Sequence, residues 1–119
     1  ALVVFAAPHA RAAGIESSLA KLEPEERSHQ ACILKGLREV ARDKKLRGAD
    51  RMKTSIFIPA VLKAATLDAP GGAVRVKGRW FRLAFACTLT QDYMKATTFT
   101  FELGAEIPKG EWDRLGLWG

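Results

Sequence analysis

Between Arg79 and Leu103 side chains alternate so strictly that little except a β-hairpin can accommodate them. Phe81, Leu83, Phe85, Cys87 and Leu89 fall on one side of an extended chain, and Trp80, Arg82, Ala84, Ala86 and Thr88 on the other. Thr90-Gln91-Asp92-Tyr93-Met94 reads as a loop. Beyond it Thr97, Phe99, Phe101 and Leu103 share one face, with Ala96, Thr98, Thr100 and Glu102 opposite. An antiparallel pair with one apolar face needs a second layer to cover that face.

The cover is supplied by residues 24–44. Pro24 suits the first position of a helix, where a missing N–H costs nothing, and Glu25 and Glu26 suit its positive end. Ile33, Leu34, Leu37, Val40 and Ala41 gather on one arc at 100° per residue, with Gly48 as the stop. A shorter helix is expected over Ile15–Leu22, a short strand over Ser55–Ile58 and another over Ala73–Lys77. Val61–Leu67 fits strand or helix, and Asp68-Ala69-Pro70-Gly71-Gly72 reads as a turn. Pro108 and Gly116 bracket a small C-terminal helix whose Trp112, Leu115 and Trp118 would seal an edge of the core. The expected fold is therefore α+β: an antiparallel β-sheet, one long amphipathic helix packed on one face, and a short C-terminal helix.

With 119 residues, 48% hydrophobic and 27% charged, the chain has room for one domain and one modest core. The stretch 1–13 stands apart. Ala1-Leu2-Val3-Val4-Phe5-Ala6-Ala7 is apolar, Pro8 follows, and Ala10-Arg11-Ala12 matches an A-x-A cleavage site. This predicts the remnant of a secretory signal, leaving 14–119 as a single α+β domain. The expected location is periplasmic or secreted, with a membrane anchor as the alternative if the segment is not cleaved.

Export changes the meaning of the two cysteines. In an oxidising compartment Cys32, at the margin of the helix stripe, and Cys87, on the inner strand face, are placed to bridge, with Gly36 letting the strand come close. The competing reading is two buried free thiols. Such a bridge would add about 4 kcal/mol by restricting the unfolded chain.

Reactive constellations are sparse. There is no C-x-x-C, P-loop, dinucleotide fingerprint or G-x-S-x-G. One histidine beyond the leader and two separated cysteines do not make a zinc site, so no metal, cofactor or catalytic residue is assigned. His29, falling near the apolar stripe, is a structural histidine on this reading. The enzymatic alternative places a small pocket around it, with Ser28 or a carboxylate as partner.

Basic residues outnumber acidic ones, for a net charge of +6. Arg38, Arg42, Lys44, Lys45, Arg47, Arg51 and Lys53 crowd the helix end and the following loop; Arg75, Lys77, Arg79 and Arg82 crowd one hairpin. Trp80 beside Arg82, with Arg75 and Lys77, forms a candidate site for an anionic ligand on the outer sheet face. The alternatives there are a solvated face, or one covered by the first helix or the tail. The expected activity is non-enzymatic binding, to another envelope protein or an anionic envelope component, with no nucleic acid.

The order of residues also resembles a known family. Leu22-Glu23-Pro24-Glu25-Glu26-Arg27, Gln30, Cys32, Ala69-Pro70-Gly71 and Lys77-Gly78-Arg79-Trp80 are followed by Leu83, Phe85, Cys87, Met94-Lys95 and Phe99. Gly104-Ala105-Glu106-Ile107-Pro108, Glu111-Trp112 and Gly116-Leu117-Trp118 complete the pattern. It is similar to the bacterial family of domains of unknown function numbered 930, over roughly residues 20–118. That resemblance transfers no activity. It implies an envelope setting and an architectural role for Pro24, Cys32, Cys87, Trp112 and Trp118.

Overall fold

The computed structural model describes residues 14–119, so the expected leader at 1–13 lies outside the described residues. The fold is α+β. Helix α1 occupies residues 14–20, and α2 is Pro24–Val40. Five strands follow: β1 Ala49–Lys53, β2 Val61–Lys63, β3 Thr66–Val76, β4 Arg79–Leu89 and β5 Ala96–Glu106. Helix α3 is Trp112–Leu115. All pairings are antiparallel, in the order β1-β3-β4-β5, with β2 on the first part of β3.

Helix α2 opens as expected, with Pro24 at its start and Glu25 and Glu26 in its first turn. It stops earlier than the expected Lys44. The Asp43 carboxylate accepts a hydrogen bond from the Lys45 amide (2.9 Å), starting a 3-10 turn over Lys44–Leu46 that drives Leu46 into the core. A short acidic side chain that bonds the nearby backbone competes with helix continuation.

Two strand expectations change. Ser55–Ile58 is not a strand, and β1 forms just before it. Ile56 and Phe57 both donate their amides to the Gly71 carbonyl, at 2.8 and 2.9 Å. Asp68–Gly72 is correspondingly not a turn but the middle of β3, where the register slips between Ala69 and Gly72. A Cβ on Gly71 would lie 2.3 Å from the Ile58 backbone nitrogen, and one on Gly72 would lie 2.6 Å from the Lys53 carbonyl oxygen. These glycines mark a bulge and a close backbone approach rather than a reversal. The true reversal is Lys77-Gly78, both with positive φ (53° and 77°), as a two-residue hairpin requires.

The inner face of the sheet meets α2 through a seam of small residues. Ser28, Cys32, Gly36 and Val40, four apart, are buried. The seam is rotated from the expected stripe: Ile33 and Leu37 flank it half-buried, and Leu34 is 41% exposed. The bulk is on the sheet side, where Phe85 stacks on Phe99 at 4.7 Å. A Cβ on Gly36 would come within 2.6 Å of the Phe99 ring, so the narrow helix face admits the wide aromatic one. Along β5 a bulge at Thr97 reverses one expectation. Thr88 pairs with Thr98 but Leu89 pairs with Ala96, so Ala96 is buried on the inner side and Thr97 is exposed.

The outer face carries a second core. Ala73, Trp80, Ile107, Trp112 and Leu117 bury together, with Ile56, Phe57 and Leu115 against them. Gly116 (φ 72°) ends α3, and the Leu117 amide returns to the Trp112 carbonyl at 2.8 Å, aiming Leu117 inward. Each large apolar side chain so buried contributes about 1.5–3 kcal/mol. Trp112 and Leu117 thus cover a face rather than an edge, and Trp118 stays 47% exposed.

Candidate functional site

Cys32 on α2 and Cys87 on β4 form a disulfide across the helix–sheet interface, with Cα atoms 6.1 Å apart and a separation of 55 positions in sequence. Both are fully buried. Bridges of this kind form and persist where the surroundings are oxidising.

The four residues expected to hold an anion on the outer face do not form an open site. Trp80 is fully buried, so no ligand can stack on it; its Nε1 donates to the Trp118 carbonyl at 2.7 Å, and its ring meets the Trp118 ring edge-on. Arg75, directly opposite Trp80, makes a two-pronged bond to the Asp50 carboxylate (2.9 and 2.7 Å), and its side chain is 11% exposed. That guanidinium holds the Asp50 carboxyl below its usual range. Arg82 lies over the Phe57 ring at 3.8 Å. Only Lys77 stands free in solvent, at the tip of the β3–β4 turn. The tail takes up the face, as one expected alternative had it, and the 55–58 segment, which was not expected there, joins it.

His29 is half-buried, and its Nδ1 shares a hydrogen bond with the Thr54 hydroxyl at 2.7 Å. It borders a groove of about 420 Å³ that also touches Asp50, Lys53 and Trp118. Both Asp50 oxygens are occupied by Arg75. Ser28 turns away, donating to the Glu25 carbonyl. Among the described residues, neither Ser28 nor Asp50 is bonded to His29. Among the described residues no group of three or more His, Cys, Asp or Glu is arranged to hold a metal.

The structure does bring cations together at one end of the molecule. Pairing of Ala49 with Val76 sets Arg47-Gly48 beside Lys77-Gly78, and the Lys77 stem runs about 3.7 Å from where a Gly48 side chain would begin. The turn that follows α2 and the 3-10 turn add Arg42, Lys44 and Lys45. All five cations are exposed. Nearby acids offset them only in part, Glu39 by facing Arg42 at 3.6 Å and Asp43 by capping the 3-10 turn. Arg79 is excluded from the group, because it pairs with Glu106 across β4–β5. Arg38 instead lines the groove beside α1, Arg51 donates to the Asp50 carbonyl, and Lys53 sits over the Trp118 ring at 4.6 Å.

One residue with no assigned role in the sequence reading is central to the opposite end. Arg27, on α2, donates to the carbonyls of Leu19, Ala20, Leu22 and Asp92 at 2.8–3.2 Å. It satisfies carbonyls that α1 leaves open at its C-terminal end. Its place in the first turn of the helix that follows the Leu22-Glu23-Pro24 break was the available signal.

No described helix is long and apolar enough to cross a membrane. No curated protein and no solved structure matches the chain significantly. A family model does match, over residues 19–117, a span that takes in both cysteines, all five strands and α3. Its description is Domain of Unknown Function (DUF930), and this chain belongs to that family.

Proposed function

We propose that this chain is an exported, disulfide-tied binding domain of the cell envelope that engages an anionic envelope component through its basic end, without chemistry of its own. The observation that carries the reading is the convergence of Arg42, Lys44, Lys45, Arg47 and Lys77 from two separate segments. Cations on rigid elements attract a surface of opposite sign, each by about 1 kcal/mol near an anionic bilayer. The buried bridge supports a periplasmic or secreted location, since cytosolic thiols are kept reduced.

Co-sedimentation with phosphatidylglycerol vesicles tests it. Binding should weaken steeply between low and physiological salt. The combined Lys44→Glu, Lys45→Glu, Arg47→Glu, Lys77→Glu variant should lose about two orders of magnitude in affinity or more. Equal retention on phosphatidylcholine vesicles, or no effect of the four substitutions, would end the proposal.

A further inference from the structure

The Arg27 clamp has a geometric consequence. It ties the end of α1 and the β4–β5 loop to α2, fixing three segments relative to one another. Only Leu19 of α1 is buried, at 6% exposure, while Ile15 is 51% and Leu34 of α2 is 41% exposed. Between these segments lies a groove of about 830 Å³, its sides formed by Ile15, Leu19, Leu34, Leu37 and Met94. A second hollow of about 650 Å³ continues past Ile15 and Leu34 toward Leu22. Pockets of roughly 300–1,000 Å³ with apolar walls and a few polar groups are the usual form of small-ligand sites. Apolar side chains left facing water in one contiguous trough require an occupant more than isolated exposed ones do.

Arg38 and Lys95 line the same groove and are exposed, and their side chains have no hydrogen-bond or ion-pair partner among the described residues. Two acids also border it. The Asp92 carboxylate is engaged by the Thr90 hydroxyl (2.6 Å) and the Met94 amide (3.0 Å), with the Arg27 guanidinium bonded to the same residue's carbonyl. Glu16 lies on the α1 side.

We infer that this groove binds a single-chain anionic amphiphile, its alkyl chain along Ile15, Leu19 and Leu34 and its acid group between Arg38 and Lys95. The site uses none of the five cations of the basic end, so it stands or falls separately from the reading above.

Dodecanoate, titrated below its micellar concentration into the full chain by calorimetry, is the probe. The expected result is saturable 1:1 binding. Leu34→Asp should weaken it at least tenfold. Arg38→Gln with Lys95→Gln should weaken dodecanoate at least fivefold and leave dodecanol within twofold. All three sites are exposed, so far-UV circular dichroism and the melting midpoint should be retained and a loss of binding is read as a loss of contact. Absence of saturable dodecanoate binding, or indifference to Leu34→Asp, overturns the proposal. So does dodecyltrimethylammonium binding as tightly as dodecanoate, which would deny the cationic mouth its role. A stable dimer that Leu34→Asp dissociates would assign the groove to a second copy and overturn it as well.

Discussion

Removing the bridge should cost this protein more than any single packing change, and the size of the loss follows from where the cysteines sit. The cross-link joins residues 55 apart, closing a loop that contains β1, β2, β3 and most of β4. Restricting a loop of that length removes about 14 cal/mol/K from the unfolded chain, or about 4 kcal/mol at 25 °C. Both sulfurs are fully buried against α2 and β4, so Cys32→Ala with Cys87→Ala adds a small packing loss on top. The entropic effect is lost with either cysteine. Each single variant should therefore fall within about 1 kcal/mol of the double one rather than at half its cost. Urea denaturation of the oxidised chain, both single variants and the double variant measures this. The midpoint should drop, the slope should steepen because the freed unfolded chain exposes more surface, and the melting temperature should fall by roughly 15 °C or more. A double variant that loses under about 1 kcal/mol with an unchanged slope would refute the argument that the bridge acts on the unfolded state.

Further outcomes are expected for two glycines and for the acid range. Gly71→Ala forces a methyl to within 2.3 Å of the Ile58 backbone nitrogen and disturbs the carbonyl that holds Ile56 and Phe57, so it should cost about 3 kcal/mol. Gly110→Ala meets nothing within 4 Å and should stay within about 0.5 kcal/mol in the same urea assay. Asp50 and Glu106 have their carboxyls lowered, first by the hydrogen bonds from Arg75 and Arg79. A carboxylate with a lower pKa folded than unfolded stabilises fully above the unfolded value, near pH 4, and loses that contribution as pH falls through the folded value. Urea midpoints should thus decline between pH 5 and pH 2, and Asp50→Asn should decline less steeply; identical slopes would show that the Arg75–Asp50 pair carries no acid sensitivity.

Much of the architecture could be read from local chemistry. The period-two alternation of β4 and β5 reports burial of one face directly, because neighbouring side chains on a strand point opposite ways. Pro24, Gly78 and Gly116 act through their own backbone preferences, and each appears where its residue type demands. The basic end was legible as two charge clusters, one after the helix and one in the hairpin. That they meet was not, because only the pairing of Ala49 with Val76 sets Arg47 beside Lys77.

What tertiary structure alone decided is which partner each exposed-looking group receives. Trp80 and Arg75 have the composition of a ligand site, yet the tail buries one and Asp50 occupies the other. Pro70-Gly71-Gly72 reads locally as a turn because glycine permits one; it is a bulge because the 55–58 segment needs its carbonyl and its missing side chains. Periodicity and propensity act over a few residues and were determined by the sequence itself. Competition for a face, a carbonyl or a guanidinium is settled among segments far apart in the chain, so it exists only once the fold has brought them together.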